Sequence, residues 1–253
     1  MNFVILRFDE LGSTNTEALE QARRGADEGL CVVAKTQTAG RGRLGRAWQS
    51  PSGSGLYFSI VLRPKLAVKY LPLLTLMAAV TVHETLRSGF ALAPDIKWVN
   101  DVLINGRKIS GILAETAETD RGTAVVLGIG INLKSDNFPP GIADIATSIE
   151  AETGRPGAPP DPPDTAALLQ TLTAKLDHFY EMLCCENGAE NIKNEWAQRS
   201  SYYLGKDVRV ILPNETLIGT TCGLEENGAL RVKQPDGEIR IVQAGDVENL
   251  RAV

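Results

Sequence analysis

Asn105-Gly106 stands between two strand-like runs, DIKWVNDVLI and RKISGILAE, and this dipeptide is the strongest short-range signal for a two-residue type I′ hairpin. Such a turn dictates pairing: Ile104 falls opposite Arg107, Leu103 opposite Lys108 and Asp101 opposite Ser110. Alternation along each strand then puts Lys97, Asp101 and Lys108 on one face, in the company of Val99 and Ile112. Two ammonium groups and a carboxylate among apolar neighbours can be a chemical site. They can equally be salt bridges on a solvated sheet, each worth roughly 0–1 kcal/mol, and the spacing alone fits both.

The hairpin must join a larger sheet. VILRF (4–8), CVVAKTQ (31–37), LYFSIVLRP (56–64, ended by Pro64) and TAVVLGIGINL (123–133) read as further strands. Between the first two, Thr14 and Glu17 have the spacing of a capping box and Gly25 suits the position just past a helix end. LPLLTLMAAVTVHETLRSG (71–89) is an apolar helix expected to cross the back of the sheet, with His83 packed rather than ligating. After a proline-rich surface connection over 151–163, TAALLQTLTAKLDHFYEMLCC and NIKNEWAQRS carry helical periodicity.

From Gly205 the pattern changes to short alternating strands with Asn227-Gly228 and Asp236-Gly237 turns. The fold class is therefore α+β: a mixed sheet packed with a helix or two on one face, plus a small SH3-like barrel at the C-terminus. Domain limits of 1–203 and 204–253 follow, and removing residues 205–253 is expected to leave the first domain able to fold.

GRGRLGRAW (40–48) concentrates three arginines in a chain whose net charge is −5. Overall acidity argues against broad binding to a phosphate backbone, which needs many cationic contacts. A local anion is the better fit: glycines allow a tight path with exposed amides, and arginines grip phosphate or carboxylate through paired hydrogen bonds. The loop lacks the P-loop signature, and GIGIN (128–132) lacks the Rossmann spacing. Cys31, Cys184, Cys185 and Cys222 have no zinc-type spacing and are expected to be reduced thiols, mostly filling apolar space. With no apolar run long enough for a signal peptide or membrane span, a cytoplasmic address is expected.

GSTNTEA, KTQTAGRGRLGRAWQSPSGSGLYFSIVLRP, IKWVNDVLINGRKISGILAE and LGIGINL, in this order and approximate spacing, resemble the motifs of biotin–protein ligases. The resemblance implies the class II biotin synthetase-like catalytic fold. It also implies an ATP-dependent reaction in which biotin and ATP form biotinyl-5′-AMP and pyrophosphate, and biotin then passes to one lysine of a biotin carboxyl carrier protein domain. Ser13, Thr14, Asn15 and Gln37 match the polar turn and its partner at the biotin ring. Arg41, Gly42 and Arg43 match the core of a loop that shelters the mixed anhydride from water, with Arg43 on the phosphate and Arg41 retaining the adenylate.

Lys108 matches the lysine drawing the biotin carboxylate and α-phosphate together, the central catalytic role. Arg46, Trp48, Lys97, Asn100, Asp101 and Asn132 are the implied nucleotide residues: Trp48 packs on adenine, Asn100 and Asn132 read the purine edge, and Asp101 holds Mg²⁺ directly or through water. KWVND carries Val99 where the family pattern has proline. Arg251 is expected to end a strand rather than to reach the site. The polar turn arrives at residue 13, which leaves no room for the DNA-reading domain of some members, so a monofunctional ligase without specific DNA binding is expected. A homodimer through the sheet, with monomer as the alternative, is implied. Two competing readings stay open: a lipoate or octanoate ligase of related fold, and a nucleic-acid-binding module.

Overall fold

Seven runs rich in β-branched and other apolar residues form one continuous sheet in the computed structural model, which describes residues 1–136, 138–154 and 164–249. Its strands are β1 (Val4–Leu11), β2 (Leu30–Gln37), β3 (Gly55–Leu62), β4 (Asp95–Lys97), β5 (Asp101–Ile104), β6 (Arg107–Thr119) and β7 (Gly122–Asn132), ordered β1-β2-β3-β7-β6-β5-β4. β1 and β2 are parallel, joined by the crossover helix α1 (Thr14–Arg23), and every other pair is antiparallel.

Every residue of β3 is buried because both sheet faces are covered. Leu56, Phe58, Ile60 and Leu62 join the main core with α2 (Leu73–Phe90). Val61 points the other way, into a second cluster with Ala18, Leu19 and Ala22 of α1. Helices thus cover both faces, not one. The helix α2 is apolar nearly all round because α4 (Thr165–Cys184) and α5 (Gly188–Ala197) pack on its outer side, and His83 is buried within it. No described helix is long and apolar enough to cross a membrane.

Three local expectations are corrected. Ser13, not Thr14, is the N-cap of α1, and Thr14 and Glu17 form no capping box: the Thr14 hydroxyl donates to Gln37, and the Glu17 carboxylate accepts from Gln21. Gly25, at φ +92°, does follow the helix end as expected. Asn105 and Gly106, both at positive φ, make the hairpin turn, and Leu103 does pair with Lys108. A bulge then shifts the register, so Asp101 lies opposite Gly111 instead of Ser110. The bulge also turns Ile112 away from the charged face and into the main core. Finally, only Cys31 of the four free thiols is buried; Cys184 and Cys185 are exposed.

The stretch expected as a plain connection begins with a short helix, α3 (Ile149–Thr153); its residues 155–163, like Arg251, lie outside the described residues. The C-terminal unit is a five-stranded antiparallel sheet: β8 (Leu204–Ile211), β9 (Thr216–Leu224), β10 (Leu230–Lys233), β11 (Ile239–Val242) and β12 (Asp246–Asn249), in the order β11-β10-β9-β8-β12. It is the SH3-like element expected from its turns, with bulges in the β8–β9 and β9–β10 pairings. Val208, Val210, Leu230 and Val232 belong to the same core as Leu73 and Leu76 of α2, and the buried Trp98 indole donates to the Gly228 carbonyl across the junction at 3.0 Å.

Candidate active site

One cavity collects the N-terminus of α1, the arginine-rich loop, the charged hairpin and one corner of the C-terminal sheet. At the helix end, the Gln37 side-chain carbonyl accepts from the Thr14 amide at 2.8 Å and from its hydroxyl at 3.1 Å. The Asn15 amide donates to Leu113 O and to the Glu115 carboxylate, while its Oδ1 accepts from Ser59 at 2.6 Å. Ser13 caps the helix through its backbone position alone, so its hydroxyl makes no capping bond and lines the cavity. Opposite this turn, a Cβ on Gly128 would stand 2.0 Å from Asn15 Oδ1, so only glycine lets the turn lie this close to the sheet.

Lys108 Nζ stands 2.6 Å from Asp101 Oδ1, and Lys97 Nζ 3.3 Å from Oδ2. Burial works to raise the Asp101 carboxyl's pKa, but the two ammonium groups outweigh it and hold the group below its ordinary value. The Lys108 backbone is clamped as well: its N–H donates to Ile145 O, and its carbonyl accepts from Thr147 N–H. Glu152 of α3 fixes the hairpin from behind, accepting from Arg107, Asn105 and Thr147. The Lys108 ammonium is thus carried on backbone that is restrained from both sides.

Residues 40–48 form a small folded flap: Arg41 bridges Ala47, and the Trp48 N–H returns to Gly40 O. The Trp48 indole lies against the sheet where Gly111 and Gly130 leave room for it; a Cβ on Gly130 would come within 2.5 Å of the ring. Lys108 Nζ sits 5.3 Å from its centroid. The three arginines grip three different places. Arg41 Nη2 donates to Glu115 at 2.6 Å, Arg43 donates to Asn100 Oδ1 at 2.9 Å and to Gly245 O, and Arg46 pairs with Asp246 of the C-terminal sheet. Burial lowers the Arg43 guanidinium's pKa, with Asp101 opposing and Arg46 adding to the effect. Four cationic side chains and two carboxylates face the cavity, a balance suited to an anionic ligand.

Residues 8–132 match the biotin/lipoate A/B protein ligase family, and residues 203–248 match the biotin protein ligase C terminal domain. The bifunctional ligase/repressor BirA of Bacillus subtilis is 37% identical over 249 residues, covering 96% of this chain and 73% of that protein. The biotin--[acetyl-CoA-carboxylase] ligase of Paracoccus denitrificans is 33% identical, covering 93% of this chain and 96% of its own. The chain belongs to the biotin protein ligase family. Among solved members, the Aquifex aeolicus biotin protein ligase in complex with biotin and ATP superposes with a TM-score of 0.82 at 29% identity, covering 98% of this chain and 99% of that one.

In this chain, the residues singled out from sequence meet almost entirely in the one cavity: Ser13, Thr14, Asn15 and Gln37 at one end, Asn100, Asp101 and Lys108 at the other, with Arg41, Gly42, Arg43, Arg46 and Trp48 over them. Two do not line it. Lys97 acts on it through Asp101, and Asn132 turns its amide to the Thr147 and Lys108 carbonyls, holding the clamp on Lys108. Sequence reasoning passed over Ser59, Glu115, Glu152 and Asp246. Strand alternation sets Ser59 and Glu115 on the sheet face that meets the polar turn, where they hold Thr14 and Asn15, which was legible; Glu152 and Asp246 come from separate segments with no local signal.

The Asp101 carboxylate does not suit direct ligation of Mg²⁺. Both of its oxygens already face ammonium groups, and no cluster of three or more metal-type side chains occurs among the described residues. A divalent ion would enter here on the phosphates of a nucleotide, as part of the substrate.

Proposed function

We propose that this chain activates biotin with ATP to biotinyl-5′-AMP, releasing pyrophosphate, and then transfers the biotinyl group to a lysine of a biotin carboxyl carrier domain, releasing AMP. The observation that carries this reading is the meeting of a polar helix turn, a restrained ammonium–carboxylate–ammonium cluster and an arginine flap around one cavity. The turn suits a ureido group, whose donors and acceptor must all be paired on burial. Lys108, at the other end, offsets the repulsion between the incoming carboxylate and the α-phosphate and stabilises the charge that builds on phosphorus. Asp101 keeps that ammonium in place, and Lys97 holds the other oxygen of the same carboxylate. Arg43 faces the phosphate, Arg41 retains the adenylate, and Trp48 with Asn100 flanks the nucleotide.

Relatives named for biotin--[acetyl-CoA-carboxylase] ligation support a carboxylase carrier domain as acceptor, and ATP use supports a cytoplasmic setting. The family match spans residues 8–132 and then 203–248, which supports a boundary between a catalytic domain, 1–203, and a C-terminal domain, 204–253. A lipoate or octanoate ligase is the reading to test against. ATP–pyrophosphate exchange measured with biotin, lipoate and octanoate in turn is expected to respond to biotin alone; exchange driven by either fatty acid, and not by biotin, would refute the assignment.

A further inference from the structure

Both ends of the arginine flap are wired to the polar turn at the start of α1. At one end, the Trp48 carbonyl accepts from Ser50 Oγ at 3.0 Å. Ser50 accepts from Gln37 Nε2 at 2.7 Å, and Gln37 Oε1 holds Thr14. At the other end, a single carboxylate oxygen, Glu115 Oε2, accepts from Arg41 at 2.6 Å and from Asn15 at 2.9 Å. Ser59 closes the circuit between them, 2.6 Å from Asn15 Oδ1 and 2.8 Å from Thr14 Oγ1.

Glu115 is the hinge point of this circuit. It reaches up from β6, its side chain is only 25% exposed, and it carries the one negative charge at which the flap's first arginine and the turn's asparagine meet. An ionised acceptor makes the stronger kind of hydrogen bond, so the Arg41 contact weighs more than a neutral one would. The same Asn15 Nδ2 also donates to Leu113 O, while its Oδ1 accepts from Ser59, so a shift of the turn moves the donor that shares the Glu115 oxygen with Arg41.

We infer that Glu115 is a positioning residue that couples the polar turn to closure of the 40–48 flap, and so sets how long the adenylate stays enclosed. The inference rests on the proposed function and names a residue for it that makes no contact with the reacting atoms. Filling the turn orders Asn15, Asn15 orders Glu115, and Glu115 draws Arg41 down.

The test is the lifetime of biotinyl-5′-AMP on the full-length protein, followed by displacement of labelled adenylate with an unlabelled excess. Glu115→Gln keeps the shape and removes the charge; it is expected to shorten the lifetime by about tenfold, as loss of one charge-assisted hydrogen bond does. Arg41→Gln should shorten it similarly, and the double variant should be no worse than the worse single, because both remove one contact. Glu115→Asp, which retains the charge, should lie nearer to the parent, and Glu118→Gln, an exposed control on the same strand, should match it. A parent-like lifetime in Glu115→Gln, independent multiplying effects in the double variant, or equal loss in Glu115→Asp and Glu115→Gln would overturn the coupling. Failure of the parent protein to form any adenylate would sink the proposed function instead, which keeps the two outcomes apart.

Discussion

Asp101 holds two lysines at once, and that makes it the residue on which the charged hairpin turns. Removing its charge leaves Lys97 and Lys108 facing each other in a half-buried site, so Asp101→Asn is expected to destabilise the fold by about 3 kcal/mol, the usual scale for breaking a buried pair. Since its carboxyl titrates below the ordinary range in the folded protein, its stabilisation is present above the unfolded value and fades as pH falls through the folded one. Urea denaturation across acid pH should show a steeper loss of stability in the parent than in Asp101→Asn. Trp48 offers a second residue-level check. A methyl at Gly130 would meet the indole at 2.5 Å, so Gly130→Ala should displace Trp48, shift its fluorescence and raise KM for ATP. Much of this was legible from the chain: the turn dipeptide and period-2 alternation bring Lys97, Asp101 and Lys108 together. The bulge that moves Asp101 opposite Gly111 was not, because it answers to sheet twist rather than to any local residue pattern.

At the level of elements, buried carboxylates tie separate segments together. Glu152 of α3 holds the hairpin tip through Arg107 and Asn105, from a segment that the sequence marked only as a connection. Glu84 of α2 plays the same part at the far end, accepting from Arg87 and from Arg199, which follows α5. Arg87, with Arg199 assisting against the cost of burial, lowers its pKa from 4.5 to about 2. A depressed carboxyl stabilises the fold above its unfolded value, so this contribution is complete above pH 4.5 and is lost as pH falls toward 2. Glu84→Gln is expected to lower stability at neutral pH by about 3 kcal/mol and to flatten the loss over that window, as read by thermal melting in a pH series. Periodicity identified α2 and its burial. It could not identify Glu84's partners, since Arg199 is brought to it by tertiary packing alone.

For the whole molecule, the two sheets share one core and one site. Gly228 abuts Leu73 and Leu76, Trp98 reaches across to its carbonyl, and the flap's Arg43 and Arg46 end on Gly245 and Asp246. Removing residues 205–253 would bare Trp98 and the start of α2, so a first domain that still folds should melt well below the parent. Asp246→Ala tests the shared site without that damage, and should raise KM for ATP while leaving the melting temperature nearly unchanged. Turn chemistry revealed the small sheet from sequence, whereas its docking depends on surface complementarity between segments over a hundred residues apart.

The central claim is that a restrained Lys108, under the flap, drives adenylation. Single-turnover formation of biotinyl-5′-AMP by Lys108→Ala, set beside its transfer of biotin to carrier protein from supplied biotinyl-5′-AMP, tests this most directly. Adenylation should fall by roughly 10²–10³-fold, the scale for losing one preorganised charge partner, while transfer from the supplied adenylate falls far less. Adenylation at the parent rate in a folded Lys108→Ala protein would contradict the account.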